Sequence, residues 1–301
     1  MIARPATFSC KIDIKLKDRL KQDLEEQGFE FSTPAYTIFS AKKKNLTVVL
    51  YQSGALLVQG KAKDEFIEFY LEPEILQSFT YTNPEMNVSM VARIGSDEAG
   101  KGDFFGPLCV ASLYADEQGI KKLISLNVRD SKKMSDKSVL DMADKIKGNF
   151  QLSLLRIFPE KYNELYIKFK NLNTLLAWAH STAIAQLFEK TSCKNVLVDK
   201  FANEAVLSNA IKRKNIEINL EQKTHAESDV VVAGASIIAR AAFLKGLEEL
   251  SGQYKIKLLK GASSAVIDLG KEFVKIHGSE NLEKVAKIHF KTNEQIISTN
   301  D

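Results

Sequence analysis

Hydrophobic and polar positions in the first 80 residues alternate in a way that predicts a small α+β unit. Leucines recur at every fourth position on one face of a helix predicted over residues 14–27, and Gly28 follows where a left-handed helix cap is expected. A second helix is predicted over residues 62–71, ending before Pro73, because a residue that precedes proline disfavours helical geometry. Apolar runs bounded by turn residues predict three strands, at residues 36–40, 46–51 and 55–59.

The pattern changes at residue 91, where strands begin to alternate with helices. The predicted strands cover residues 91–95, 107–114, 151–158, 195–198 and 216–220. The predicted helices cover residues 172–190, 201–214, 230–250, 264–277 and 280–290. Such alternation is typical of an α/β domain with a mixed sheet. We therefore predict an N-terminal domain at residues 1–80, a polar linker at 81–90 and a larger domain at 91–301.

The composition is that of a globular protein and does not indicate a particular function. The 301 residues are 45% hydrophobic and 27% charged, which is ordinary for a globular protein, and the net charge of +4 permits nucleic-acid binding without requiring it. No run approaches 18 consecutive apolar residues, so no transmembrane helix is predicted. The N-terminus lacks the features of a signal peptide, and the three cysteines are scattered. These features predict a cytoplasmic protein with neither disulfides nor a zinc site.

Two adjacent carboxylates, Asp97 and Glu98, follow the predicted strand at residues 91–95. The carboxyl ends of strands are where α/β folds usually place their sites, and a turn at this point would bring both acids toward one cation. Gly100 and Gly102 remove side chains beside them, so that a ligand can approach the main-chain N–H groups. The alternative interpretation is an ordinary solvated turn.

Two further acidic segments occur in the same domain. Asp199 ends an apolar strand, where it serves either a site or the N-cap of the next helix. Glu227 and Asp229 precede the small-residue run at 232–240, where helix capping is the alternative role. Carboxylates crowded together repel one another without a cation, and hard oxygen ligands suit Mg²⁺ or Mn²⁺. Two such ions are suited to phosphodiester hydrolysis.

Several segments of the chain resemble those of the bacterial ribonuclease HIII family, within the type 2 ribonuclease H superfamily. The Gly95–Pro107 segment is similar to the family signature Gly-Ser-Asp-Glu-x-Gly-x-Gly-Asp-x-x-Gly-Pro. Further similar segments are Arg129–Lys133, Val198-Asp199, Ala235–Arg240, Lys260-Gly261 and Ala286–Phe290, with Tyr51–Gly54 and Gln59–Lys61 in the N-terminal domain. Together they extend over nearly the whole chain.

The resemblance implies a ribonuclease H-like catalytic domain preceded by a TATA-binding-protein-like domain that helps to grip the substrate. It implies endonucleolytic hydrolysis of the RNA strand of RNA–DNA hybrids by two metal ions, Mg²⁺ or Mn²⁺, leaving 5′-phosphate and 3′-hydroxyl ends. Asp97, Glu98 and Asp199 match metal-binding catalytic acids. The fourth acid is either Glu227, which we favour, or Asp229. The matching substrate-binding residues are Gly100, Lys101, Gly102, Lys132, Lys133 and Ser236.

Two other functions stay open at the level of sequence. One is ribonuclease HII-like cleavage at single ribonucleotides embedded in DNA, against which the N-terminal domain and the Gly-Asp-x-x-Gly-Pro ending of the signature argue. The other is a non-catalytic hybrid-binding protein, which the complete acidic signature disfavours. The expected partner is an RNA–DNA hybrid, with no membrane, and the protein is expected to be a monomer.

Overall fold

The computed structural model describes residues 7–76, 88–128, 131 and 134–298. The chain divides into two units, Met1–Val88 and Ser89–Asp301. Most of the predicted linker at 81–90 and the predicted substrate-binding residues Lys132 and Lys133 lie outside the described residues.

The N-terminal unit contains a five-stranded antiparallel sheet with the strand order β1-β5-β4-β3-β2. Its strands are β1 (Thr7–Lys11), β2 (Glu30–Ser32), β3 (Thr37–Lys43), β4 (Leu46–Tyr51) and β5 (Ala55–Gln59). The bounds of β4 and β5 confirm the prediction, because both strands alternate strictly between buried and partly exposed positions over most of their length. Strands β1 and β2 were not predicted; both pair at the edges of the sheet and have no fully buried position.

Two helical segments cover one face of this sheet. A short 3₁₀ turn (Ile14–Leu16) leads into α1 (Lys17–Glu26), and α2 (Lys63–Phe66) continues as a π-helix (Ile67–Leu76). The predicted end before Pro73 is therefore wrong: the helical path passes through the proline. Leu71 and Ile75 are buried in the same apolar core, on either side of the proline, so tertiary packing outweighs the local signal.

The larger unit contains a mixed five-stranded sheet with the order β10-β9-β6-β7-β8. Its strands are β6 (Arg93–Ala99), β7 (Leu108–Ala115), β8 (Leu152–Ile157), β9 (Asn195–Asp199) and β10 (Asn219–Lys223). Strands β6, β9 and β10 are mutually parallel, whereas β7 is antiparallel to both β6 and β8. The predicted α/β class with a mixed sheet is confirmed. The predicted end of the first strand of this sheet is wrong: β6 does not end at residue 95 but continues to Ala99. Both acids therefore lie on the strand.

Helices flank this sheet. They are α3 (Glu117–Ser125), α4 (Asp136–Lys147), α5 (Pro159–Phe169), α6 (Leu172–Thr191), α7 (Glu204–Lys212), α8 (Val230–Tyr254), α9 (Ser264–His277) and α10 (Lys291–Ile297). Helices α3, α4 and α5 were not predicted. The predicted helix over 280–290 is wrong: a 3₁₀ turn (Ser279–Lys284) is followed by irregular backbone. There Val285 accepts a hydrogen bond from Gly106 and Lys287 donates one to Phe104, both at 2.9 Å, so the backbone groups that a helix would need are used by a distant loop.

Helix α8 is the central helix of the larger unit. It is long and apolar enough to span a membrane by length and composition alone, but 83% of its apolar window is buried inside the domain. It packs along β6 and β7, where small residues permit close approach. At Gly95 the backbones of β6 and α8 approach closely, since a Cβ atom there would lie 2.6 Å from the backbone nitrogen of Val232.

We therefore expect Gly95→Ala to destabilise the protein by about 1–3 kcal/mol, since a methyl group at this point must push α8 away from β6. The free energy of unfolding from urea denaturation measures the effect. Gly252→Ala, on α8, is the control, because no neighbouring atom lies within 4 Å of its Cβ position. The control is expected to raise stability by up to about 1 kcal/mol. Equal stability of the two variants would show that the strand and the helix are not in close contact at Gly95.

Candidate active site

Strand β6 presents its two acids to opposite faces of the sheet, as neighbours on an extended strand must. Asp97 faces α8, where its carboxylate accepts a hydrogen bond from Ser236. Glu98 faces α6, where its Oε2 lies 3.1 Å from Nε2 of His180. Asp97 is only 8% exposed, and the Glu98 side chain is 11% exposed. The expected turn that would bring both acids to one side is absent here, because the strand continues through both residues.

The parallel pairing of β6 with β9 brings Asp199 to the same edge of the sheet. Ser96 is the partner of Val198 in this register, so the next positions along the two strands are Asp97 and Asp199. Adjacent strands lie roughly 4.8 Å apart, so the two residues are neighbours in space despite their separation in sequence. The convergence that the sequence predicted at this edge is therefore present between the two strands.

Asp199 also fixes the position of the next acidic segment. Its Oδ1 accepts a hydrogen bond of 2.9 Å from the backbone nitrogen of Ala226. Ala226 begins a 3₁₀ turn (Ala226–Ser228) that contains Glu227. The Glu227 side chain is 14% exposed and lies 3.6 Å from Nδ1 of His225. Glu227 therefore follows directly after the residue whose backbone N–H donates to Asp199.

Asp229, the competing fourth acid, has a structural role. Its Oδ1 caps α8 by accepting from the backbone nitrogen of Val231 at 2.9 Å. The same carboxylate forms an ion pair with Arg93, with Nη2 and Oδ2 2.7 Å apart and Nε and Oδ1 3.1 Å apart. The side chain of Arg93 is 7% exposed, so Asp229 neutralises an almost buried cation.

The two acids of β6 differ in their electrostatic surroundings. Burial raises the pKa of Asp97, and the negative charge of Glu98 raises it further, against hydrogen bonds from Ser236 and the Glu98 backbone. Burial also acts to raise the pKa of Glu98, but the hydrogen bond from His180 and the nearby charges of His180 and Lys101 hold that pKa below its usual value. Asp97 is thus the acid whose negative charge the protein compensates least, and a cation beside it would stabilise that charge.

The glycine-rich loop after β6 combines a tight backbone with an open surface. Gly100 has a φ of +87°, and a Cβ atom there would lie 2.2 Å from the carbonyl oxygen of Pro107. No atom lies within 4 Å of the corresponding position at Gly102, which therefore leaves its backbone open to a ligand. Between them, Lys101 places its Nζ 3.4 Å from Oε1 of Glu98.

A buried lysine supports this loop from beneath. Nζ of Lys287 donates to the carbonyl oxygens of Asp103, at 2.8 Å, and Gly106, at 2.7 Å. Burial lowers the pKa of Lys287 to about 7, although the nearby Asp103 acts to raise it. From the sequence, the segment around Lys287 was identified only through the family resemblance. The position of this lysine within an apolar stretch is a signal that could have predicted its role in supporting the loop.

Ser236 was predicted to bind substrate, but its side chain is buried beside Asp97. It is 5% exposed, and its Oγ lies 2.9 Å from Oγ of Ser131, in addition to its hydrogen bond with Asp97. Arg240, one turn further along α8, donates to the carbonyl oxygen of Ser131 and forms an ion pair with Asp136. The sequence assigned no role to Ser131, Arg93 or His180, because each acts through a partner more than 80 positions away.

The chemistry of the donor set fits divalent cations. The candidate ligands are hard carboxylate oxygens, and two of them are nearly buried with like charges side by side. Within the described part of the chain, no three Asp, Glu, His or Cys side chains already form a metal-binding group. Asp97, Glu98 and Asp199 each accept a hydrogen bond from protein groups instead.

Comparisons with known proteins agree with this geometry. Residues 94–293 match the family model described as Ribonuclease HII, and residues 7–83 match a domain family of unknown function. The crystal structure of Bst-RNase HIII in complex with Mn²⁺ has a TM-score of 0.69 and 26% sequence identity, covering 97% of this chain and 98% of that one. Aquifex aeolicus RNase H3 has a TM-score of 0.57 at 30% identity, covering 94% of this chain and 100% of that one. The fold and the acidic site thus define a nuclease of the type 2 ribonuclease H class.

Full-length sequence relatives narrow the assignment. Ribonuclease HIII of Protochlamydia amoebophila is 50% identical over 96% of both chains, and that of Chlamydia caviae is 47% identical over 97% of this chain and 98% of its own. The chain belongs to the ribonuclease HIII family. This confirms the family and the enzyme class, a ribonuclease H, that the sequence predicted, and the Mn²⁺ in the Bst-RNase HIII structure agrees with the predicted divalent cation.

The two candidates for the fourth acid are expected to differ in stability. Asp229→Asn should destabilise the protein by about 2–4 kcal/mol, because it leaves the almost buried Arg93 without a counter-charge. Glu227→Gln should change stability by less than about 1 kcal/mol, since it removes a like charge from a crowded acidic site. Thermal and urea denaturation of the two variants measure the difference. A larger loss for Glu227→Gln would reverse these roles.

Proposed function

We propose that this chain cleaves the RNA strand of RNA–DNA hybrids at the acidic edge where β6 and β9 end, with Asp97, Glu98, Asp199 and Glu227 as its four catalytic acids. The observation that carries the proposal is the parallel register of β6 and β9, in which Asp97 and Asp199 are adjacent. The hydrogen bond from the backbone N–H of Ala226 to the Asp199 carboxylate supports the choice of Glu227 over Asp229. The ion pair between Asp229 and Arg93 supports the same choice.

Each acid has a distinct task in this proposal. Asp97 and Asp199 would hold the cations, Glu98 would hold one and help to position the substrate, and Glu227 would complete the second site. When bound, two divalent cations supply an activated water and stabilise the leaving 3′-oxygen, which gives a 5′-phosphate and a 3′-hydroxyl. The chain itself contributes carboxylates that are held in place by the strands and by the buried side chains beneath them.

Selection of RNA would come from the glycine-rich loop. The 2′-hydroxyl separates RNA from DNA, and the backbone at Gly102 is open to an approaching sugar, while Gly100 permits the tight turn before it. Lys101 is partly exposed and would contact a phosphate, as would Lys132 and Lys133. In this proposal Ser236 acts on the substrate through Asp97, which it contacts.

The N-terminal unit would add affinity for the hybrid. A shallow groove of about 690 Å³ is lined by two lysines, four uncharged polar residues, a leucine and a glycine: Thr7, Lys43, Asn45, Leu46, Thr47, Gln59, Gly60 and Lys61. Lysine side chains and exposed backbone of this kind suit phosphate and sugar contacts, which carry no sequence information. The proposal includes a TATA-binding-protein-like role for this domain, and hybrid affinity that falls steeply with salt.

The proposal further includes a monomeric protein of the cytosol that needs no membrane. The three cysteines are unpaired, which supports a reducing compartment. The long apolar helix α8 is largely covered by its own domain, which supports a role in the core rather than in a bilayer.

Cleavage of an end-labelled RNA–DNA hybrid with Mn²⁺ or Mg²⁺ tests the four-acid site. Asp97→Asn should reduce the cleavage rate by at least about a hundredfold while hybrid binding persists, because the cation loses its least compensated carboxylate. Glu227→Gln should be damaging to a comparable degree. The control is Glu217→Gln, at a side chain that is 96% exposed, and it should cleave like the wild type. Normal activity of Glu227→Gln together with loss in a correctly folded Asp229→Asn variant would transfer the fourth role to Asp229.

A duplex DNA with one embedded ribonucleotide separates the two enzymatic alternatives. We expect the wild-type chain to cleave a continuous hybrid more efficiently than this substrate, since contacts to several successive 2′-hydroxyls are lost when only one is present. Initial rates on both substrates at equal metal concentration provide the measurement. Preferred cleavage on the 5′ side of the single ribonucleotide would favour the ribonuclease HII-like alternative, and intact RNA in both would indicate a pure binder.

A further inference from the structure

His180 is a polar side chain in the apolar interior, on helix α6, and the cleavage chemistry above gives it no task. It is 0% exposed and lies between the buried residues Ala179 and Ser181 on a helix that is otherwise largely hydrophobic. Burial of an imidazole is unfavourable unless its nitrogens are hydrogen-bonded. Both are: Nδ1 lies 2.8 Å from Oγ of Ser96, and Nε2 lies 3.1 Å from Oε2 of Glu98.

The two partners of His180 lie two positions apart on β6, so their side chains share one face of the sheet. One imidazole ring therefore spans from an inner residue of the strand to the acid at its end. Asp97, between them, faces the other way and makes no hydrogen bond with His180. The geometry of the strand thus gives the buried imidazole as a hydrogen-bond donor to Glu98 and not to Asp97.

The inner end of the ring is firmly anchored. Ser96 and Ser112 are directly opposite each other on β6 and β7, both fully buried, with their Oγ atoms 2.9 Å apart. Oγ of Ser96 also lies 3.0 Å from the carbonyl oxygen of Ala111. Phe201 stacks on the imidazole with ring centroids 4.9 Å apart and an interplanar angle of 11°. The ring is thereby fixed in both position and plane.

The two oxygens of Glu98 consequently have different surroundings. Oε2 accepts from the buried Nε2 of His180, whereas Oε1 lies 3.4 Å from Nζ of Lys101, a side chain that is 37% exposed. A flexible, partly solvated lysine can give way to an incoming ligand far more easily than a buried, stacked imidazole can. Oε1 is therefore the oxygen of Glu98 that is available to a cation or substrate.

We infer that His180 is a positioning residue for Glu98: it donates to Oε2, fixes the carboxylate and directs Oε1 toward the cation and substrate. This inference rests on the proposed function for the role of Glu98, but not for the contact itself. Hydrogen-bond donors to metal-ligating groups commonly change metal affinity by about 10–100-fold when they are removed. The competing interpretation is a histidine that only fills and stabilises the core.

Substitutions that keep or lose the outer donor separate the two interpretations. His180→Gln can place an amide N–H near the position of Nε2, whereas the shorter His180→Asn can reach only the Ser96 side. We expect His180→Asn to weaken Mn²⁺ binding by about 10–100-fold and His180→Gln to stay within about threefold of the wild type. Titration calorimetry with Mn²⁺ alone measures both, and needs no activity. Equal Mn²⁺ affinity in Asn, Gln and wild type would overturn the inference.

Asn163→Leu is the matched control for loss of buried hydrogen bonds. Asn163 is 6% exposed, and its Nδ2 donates to two carbonyl oxygens, those of Glu283 and Ala286, at 3.0 and 2.9 Å. This variant should lower the thermal midpoint without changing the Mn²⁺ dissociation constant. If it weakened Mn²⁺ binding as much as His180→Asn does, the effect of His180 would be a general effect of stability, and the inference would fail.

A double-mutant cycle with Glu98→Gln tests whether His180 acts through Glu98. In that background His180→Asn should cause no further loss of Mn²⁺ affinity, because the carboxylate that it orients is already gone. A further tenfold loss would contradict the inference. A wild-type chain that binds Mn²⁺ but leaves the hybrid uncut would remove the proposed function, while the cycle would still report on the pairing of His180 with Glu98.

Discussion

The constraint on which the rest of this structure depends is the near-burial of two adjacent negative charges on one strand. An isolated buried carboxylate is strongly unfavourable, and two side by side repel each other as well. Because Asp97 and Glu98 are neighbours on an extended strand, they point to opposite faces of the sheet, and each has different hydrogen-bond partners. Glu98 receives two nitrogen donors, whereas Asp97 receives a serine hydroxyl and a backbone N–H. Of the two, Asp97 has the less compensated charge, and a cation beside it would stabilise that charge.

The mixed topology of the sheet creates the site. A parallel neighbour must arrive through a long crossover connection, and here β7, β8 and the helices α3, α4, α5 and α6 lie between β6 and β9 along the chain. Since the register of β6 and β9 sets Asp199 beside Asp97, a shift by one residue would turn the acid to the other face. The hydrogen bond from Ala226 to Asp199 then extends the same edge to a third segment. Three distant parts of the chain thus meet through backbone geometry.

The supporting residues have a common physical character. Lys287 beneath the glycine-rich loop, Arg93 beside the start of α8 and His180 beneath Glu98 are almost fully buried polar groups. Each is tolerated because its nitrogen atoms meet carbonyl, carboxylate or hydroxyl oxygens. Such groups contribute little to net stability, but a wrong arrangement would leave them unsatisfied, so they fix one arrangement of the loop and the acids. A site that must hold charges in fixed positions benefits from that specificity.

By itself the sequence determined the elements whose signals are local and the residues whose chemistry is unmistakable. Strict alternation located β4 and β5, apolar runs located α6 and α9 within a residue, and the acidic signature identified the family and the metal chemistry. Only the tertiary structure decided the extension of β6 through both acids, the helical path across Pro73, the loss of the helix expected at 280–290 and the different surroundings of Glu227 and Asp229. Each of these depends on a partner that is distant in sequence, such as a neighbouring strand, a shared core or a buried arginine. Local patterns carry no information about such partners, because their energies exist only once the chain has folded.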